Sequence, residues 1–289
     1  MSDQDTFFLR AGQLLDRVEQ LLPEKCVSHP GTAAALRWRK QGQQSILEPI
    51  QHLSTIRLYD LKCIERQIAL IRDNTLQFLN NLPANNALLW GPRGTGKSSL
   101  IKAILNEYRE QGLRMVEVES EHLLELPDIY RQLAALSGRF IIYCDDLSFE
   151  ANDPSYKALK VILDGSLGTT PDNILIYATS NRRHLMPEYM RDNELSGMVG
   201  GELHLNEAIE EKLSLSERFG LWLSFHPFNQ EQYLSIVDHW LDKLAAPDTD
   251  RDTLQRAALK WALEHGSRSG RTAWHFARDW TGKKRLQEL

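Results

Sequence analysis

Between residues 86 and 225, short apolar runs alternate with stretches of helical period. The runs fall at 86–90, 115–118, 140–144, 174–179 and 221–225 and are rich in Leu, Ile, Val and aromatic side chains. Hydrophobicity that is continuous, not alternating, marks strands buried on both faces, as in a parallel sheet layered between helices. Helices are predicted between them at 97–111, near 122–136 and at 156–164. In the first, Leu100, Ile101, Ile104, Leu105 and Tyr108 share one face and Gly112 ends the run. Upstream, Asp60 is expected to cap a helix through Leu61, Ile64, Ile68, Ile71, Phe78 and Leu79, which Asn80-Asn81-Leu82-Pro83 terminates. Residues 1–50 read as short helices, amphipathic over 7–22 and broken by Pro23, Pro30-Gly31 and Pro49.

After His226-Pro227 the pattern turns wholly helical. Asn229 and Gln232 form a capping pair for a helix bearing Tyr233, Ile236, Val237, Trp240, Leu241 and Leu244, and two more helices are predicted near 250–265 and 270–280. The expected architecture is therefore α/β: a parallel five-stranded sheet with helices on both faces (51–228), a small helical lid (229–289) and an N-terminal helical extension (1–50). No internal repeat is visible.

Composition narrows the setting. With 42% hydrophobic and 25% charged residues the chain is an ordinary globular sequence. No apolar run approaches the roughly 18 residues of a membrane span, and the acidic start Met1-Ser2-Asp3-Gln4-Asp5 is unlike a signal peptide, so a cytoplasmic location is expected. Cys26, Cys63 and Cys144 are isolated and read as reduced thiols, not as a disulfide or zinc site. A net charge of −5 argues against a protein built around nucleic-acid phosphates, and the basic clusters Arg37-Trp38-Arg39-Lys40 and Lys283-Lys284-Arg285 read first as solvated faces.

The chemistry begins at Gly91-Pro92-Arg93-Gly94-Thr95-Gly96-Lys97-Ser98, which matches the phosphate-binding pattern G-x-x-x-x-G-K-[ST] between an apolar run and a helix. Its three glycines let the backbone curl so that N–H groups face inward. Lys97 and the N-terminal dipole of the helix, where Ser99 comes next, add positive potential where β- and γ-phosphates lie. Ser98 would ligate Mg²⁺, and ATP or GTP is the first ligand to consider. Open α/β sheets bind ligands at the C-terminal ends of their strands. There, the run 140–144 delivers Asp145-Asp146, with Asp145 suited to hold Mg²⁺ and Asp146 to polarise the attacking water. Asn181, just past the run 174–179, is read either as orienting water against the γ-phosphate or as a turn former.

Together these residues resemble the AAA+ ATPases, over about residues 45–289. The resemblance implies that Asn181 is the first sensor. It also implies that Leu215-Ser216-Glu217-Arg218-Phe219-Gly220 supplies Arg218 as a finger to the neighbouring subunit's nucleotide, with Arg182 and Arg183 as weaker rivals. Arg268-Ser269-Gly270-Arg271 resembles the second sensor. A cation in a first helical turn opposes the macrodipole, which favours Arg271 facing a phosphate, with Arg268 as the alternative. Arg37-Trp38-Arg39, Pro83-Ala84-Asn85-Asn86, Asp145-Asp146-Leu147-Ser148-Phe149 and Ala178-Thr179-Ser180-Asn181-Arg182-Arg183 look like a bacterial family of predicted AAA+ ATPases of undetermined role.

Membership of that superfamily implies Mg²⁺-dependent ATP hydrolysis in a ring-like, ATP-dependent homo-oligomer acting on an unidentified protein partner. No guanine-reading Asn-Lys-x-Asp motif is present. Alternatives are a nucleotide-held switch or scaffold with little turnover, and a helicase-loader-like ATPase that binds nucleic acid. Asp146 stands where most of the superfamily has Glu, one methylene longer, which leaves open both slow hydrolysis and a nucleotide-held switch. Glu150 is either a substitute acid or an exposed turn residue. Glu119-Ser120-Glu121-His122-Leu123 has no aromatic-Gly pair, which argues against a threading unfoldase. Trp90, Trp222, Trp240 and Trp274 are expected to pack in the interior.

Overall fold

The computed structural model describes residues 33–41, 44–149, 153–164, 171–183, 185, 215, 217–247 and 249–288. The amphipathic stretch 7–22, Cys26 and Glu150 lie outside them. Among the described residues, one sheet contains β1 (Ala35–Gln41), β2 (Gln44–Pro49), β3 (Ala87–Trp90), β4 (Leu113–Glu117), β5 (Arg139–Cys144), β6 (Ile174–Ser180) and β7 (Leu221–Ser224). The order is β2-β1-β4-β5-β6-β3-β7. Every neighbouring pair is parallel except β1 with β2.

The sheet has seven strands, not the expected five, because a segment read as helical forms a hairpin on its edge. The cause is a period of two hidden in a charged stretch. Leu36 and Trp38 are fully buried, whereas Arg37 is half-buried and Arg39 is exposed. Glu117, opposite Arg37 in register, takes its guanidinium at 2.7 Å, so this cation is paired and not solvated. Glu125 straps both hairpin strands, accepting from Trp38 Nε1 at 2.7 Å and Ser45 Oγ at 2.8 Å. In the other basic cluster, Lys283 is exposed as expected, but Arg285 donates to the carbonyls of Leu244 and Ala245.

The apolar runs fill two cores. On one face Ala87, Leu89, Met115, Ile141, Tyr143, Tyr177 and Leu223 meet α1 (Glu65–Leu79) and α2 (Lys97–Tyr108). On the other, Leu88, Val116, Ile142, Ile176 and Ala178 meet α3 (Leu126–Ala134) and α4 (Pro154–Asp164). Adjacent residues of one strand serve opposite cores, which is why the runs are unbroken. The helix expected near 122–136 is a 3₁₀ segment, Ser120–Glu125, leading into α3.

The C-terminal helices are α5 (Gln230–Lys243), α6 (Arg251–Glu264) and α7 (Gly270–Gln287). The expected capping pair is present: Asn229 Oδ1 accepts from Gln232 N at 2.8 Å and Gln232 Oε1 from Asn229 N at 3.0 Å. Tyr233, Ile236 and Phe276 of these helices extend the core that contains α1 and α2. Asp60 is not a helix cap. The helix α1 starts at Glu65, and Asp60 ends a 3₁₀ turn, Leu58–Asp60, with its carboxylate buried against Lys243 of α5. The cap rule looks only three residues ahead and cannot register such a distant partner.

Candidate functional site

Strand β3 lies between β6 and the edge strand β7, and its C-terminal end opens directly into the glycine loop. Two glycines there are sterically required. Gly91 has φ +141°, and a Cβ on it would lie 2.2 Å from the carbonyl oxygen of Phe225. Gly94 has φ +76°, and its Cβ would lie 2.6 Å from that of Ser269. Thr95 Oγ1 ties the loop to the Pro92 carbonyl at 2.9 Å, and α2 then begins with Lys97.

Lys97 is only 5% exposed and curls back over the loop, donating to the carbonyls of Gly91 (2.7 Å) and Pro92 (2.8 Å) and to Asn181 Oδ1 (3.1 Å). Burial lowers its pKa to about 8 against the opposing pull of Asp146 and Asp145. Its ammonium is thus a cation poorly supplied with counter-charge, held where an anion would fit.

Asp145 comes directly after β5, and its Oδ1 accepts from Ser98 Oγ at 2.7 Å and Thr179 Oγ1 at 2.6 Å. Burial pushes this carboxyl up, but hydrogen bonds from Thr179 and Ser98 outweigh it and hold it below its ordinary value. An ionised carboxylate beside a hydroxyl is the hard-oxygen pair that Mg²⁺ prefers. Asp146 adopts φ +52°, its N–H donates to Thr179 Oγ1 at 2.8 Å, and its carboxylate accepts from Asn181 Nδ2. Arg93 stands 3.5 Å from its other oxygen. Asn181 therefore bridges Lys97 and Asp146, beside the acidic pair as expected.

These groups open into a cavity of about 660 Å³, a size that suits a nucleotide. Arg93, Gly94, Thr95, Gly96, Lys97, Ser98, Ser99, Asp145, Asp146, Thr179 and Asn181 line one end, and Arg271, in the first turn of α7, joins them. Gly91 and Pro92 instead shape the loop and receive Lys97. The other end carries the apolar side chains of Ile56, Leu61, Ile64, Ile236, Trp240 and Trp274, with Asp60, Lys62, Lys243 and His275 among them. Gly270 N, at the start of α7, donates to the Gly94 carbonyl at 2.8 Å, so the predicted lid rests on the phosphate loop itself.

Arg218 and Arg268 are not on the cavity wall. Arg218 is ion-paired with Asp164 at the end of α4. Arg183 lies 5.5 Å from the Trp90 ring. Sequence reasoning missed Thr179, whose hydroxyl directly before Ser180-Asn181 at a strand end was a readable signal. It also missed Trp240 and Trp274 as cavity walls, because a tryptophan in an apolar helical pattern reads first as core.

A glycine loop entering a helix, acids at the tip of β5, two places away from β3 in the sheet, and helices bordering the same cavity make the arrangement of AAA+ P-loop proteins. Solved structures of that class share the fold. A single-site variant of RuvB from Thermotoga maritima matches with TM-score 0.52 and 15% identity over 79% of this chain and 65% of that one. The Aeropyrum pernix ORC1 protein in complex with DNA matches with TM-score 0.51 and 17% identity over 73% and 57%. The chain spans less than two thirds of either structure. It belongs to the family described as "Protein of unknown function (DUF815)", which matches residues 31–284. No curated protein matches it. Among the described residues no helix is long and apolar enough to cross a membrane.

Proposed function

We propose that this protein is a cytosolic ATPase that binds ATP with Mg²⁺, completes each site with a neighbouring subunit and couples hydrolysis to rearranging a macromolecular partner. The carrying observation is that Lys97, Ser98, Asp145, Asp146, Asn181 and Arg271 all border one cavity. Lys97 would exchange its contacts with loop carbonyls for phosphate oxygens. Ser98 and Asp145 would hold Mg²⁺, which neutralises charge between β- and γ-phosphates when bound. Asp146, positioned by Asn181, accepts a proton from the attacking water. Arg271 pairs with phosphate from the lid side. The apolar end takes the base, and adenine is assigned on the family resemblance.

Arg218, paired with Asp164 outside the chain's own cavity, suits action on an adjoining subunit. Such a finger contributes roughly a thousandfold or more to turnover. A second reading, a slowly cycling switch, draws on Asp146. It is one methylene short of Glu, and both carboxylate oxygens already have partners in Asn181 and Arg93.

The test is ATP turnover together with mass measurement, with and without ATP, for wild type, Lys97→Ala, Asp146→Asn and Arg218→Ala. The expected result is ATP-dependent assembly, with turnover lost in all three variants. Mixing Lys97→Ala with Arg218→Ala should restore part of it, because each supplies what the other lacks across an interface. Full turnover by Arg218→Ala alone would remove the finger assignment, and tight ATP binding without phosphate release would select the switch.

A further inference from the structure

A charge cluster at the base of α5 has no part in the chemistry proposed above. The Asp60 side chain is 0% exposed, and Lys243 Nζ lies 2.6 Å from both of its oxygens. His239 Nε2 lies 3.2 Å from Oδ1, and the Arg57 backbone N–H donates to Oδ2 at 2.9 Å. Burial alone raises an aspartate's pKa, yet these donors, Lys243 foremost, keep Asp60 below its ordinary value. His239 and Lys243 are one turn apart and share a face of α5, while Asp60 precedes α1, 183 residues before Lys243. A buried carboxylate is costly without its cation, so this cluster admits essentially one placement of α5 on the core.

The placement continues into α7. Trp240, next to His239, packs on Trp274 of α7 with ring centroids 4.6 Å apart. The same helix begins with Gly270, bonded to the Gly94 carbonyl, and Arg271, which faces the phosphate end of the cavity. A path of contacts thus runs from Asp60 through α5 and the tryptophan pair to α7, which carries Arg271.

We propose that Asp60 is a positioning residue: through Lys243 and His239 it fixes α5, and through Trp240 on Trp274 it holds α7 so that Arg271 stands over the phosphate loop. This rests on the reading of Arg271 as a phosphate contact. It predicts that losing Asp60 weakens binding only of ligands that Arg271 touches, although Asp60 and Lys243 themselves border the far end of the cavity.

The experiment measures equilibrium affinity of the full-length protein for MgATP and for AMP in wild type, Asp60→Asn, Lys243→Gln, Arg271→Ala and the double variant Asp60→Asn/Arg271→Ala, with thermal unfolding of each to establish folding. Asp60→Asn should weaken MgATP by about tenfold, within the ordinary range of site-to-site coupling, and leave AMP within about twofold. In the Arg271→Ala background the same substitution should change MgATP affinity by less than about twofold, since the group it positions is gone. Lys243→Gln should reproduce the ATP-selective loss, and decides the matter if Asp60→Asn does not fold. Equal losses for AMP and MgATP, or additive losses in the double variant, would overturn the proposal. Wild type that binds ATP while Asp60→Asn binds it equally well overturns the positioning role alone. Wild type that binds no ATP overturns the nucleotide reading as well.

Discussion

Replacing Thr179 with valine removes one oxygen and almost no volume, at the point where two strand tips meet the acidic pair. The threonine is 1% exposed, and its hydroxyl donates to Asp145 at 2.6 Å while accepting from the Asp146 N–H at 2.8 Å. Valine breaks both bonds. A hydrogen bond to a charged partner contributes about 1.5–3 kcal/mol, and an ordinary neutral one about 0.5–1.5 kcal/mol. The variant should therefore be less stable by about 2–5 kcal/mol, which lowers the midpoint of thermal unfolding by several degrees. Turnover should suffer beyond stability, because the Thr179 bond fixes Asp146 in its left-handed backbone conformation, and displacing a reacting group by about 1 Å can cost a hundredfold. Lys97 keeps its contacts, so KM for ATP should stay within about threefold while kcat falls at least about tenfold. Thr179→Ser, which retains the hydroxyl, should restore both quantities. Calorimetry with steady-state phosphate release decides the matter. A valine variant that unfolds with the wild type and matches its kcat would show that the Thr179 hydroxyl does not organise the acids.

Two further outcomes test the frame around the site. Gly91→Ala brings a methyl to 2.2 Å from the Phe225 carbonyl at a φ that L-residues rarely adopt, so the protein should lose about 3 kcal/mol or more, read from urea unfolding. An unchanged midpoint would mean that β3 and β7 separate freely. Asp60 is held below its ordinary value, so its stabilisation is complete above pH about 3.9 and disappears as pH falls through the lowered value. As pH falls below about 4 the wild type should therefore lose stability more steeply than Asp60→Asn, and parallel losses would contradict the linkage.

The parts legible in the sequence share a physical property: their signal is local. The phosphate loop depends on glycines and a lysine within eight residues, and strands β3 to β7 announce themselves because each serves two cores at once. The hairpin escaped because Arg37, Arg39 and Lys40, set around buried Trp38, look like a solvated basic cluster until Glu117 and Glu125 arrive from about 80 residues away. The same limit hid the partners of Asp60 and the role of Thr179, whose oxygen matters only because β5 and β6 are neighbours. For Asn181, two readings stood open from the sequence, and the structure adds contacts with both Lys97 and Asp146 that its place after a strand could not reveal.

The position of β3 in the sheet orders events during synthesis. Its neighbours are β6 and β7, made roughly 90 and 130 residues later, and Gly91 leans on the Phe225 carbonyl. A ribosome that has released the glycine loop has not yet released the strands that brace it, and pairing this remote in sequence forms slowly. The nascent chain therefore carries an unframed phosphate loop until Leu221–Ser224 emerges. A framed phosphate loop is thus among the last features the growing polypeptide acquires, and a chain cut short before β7 should fold too little to trap ATP.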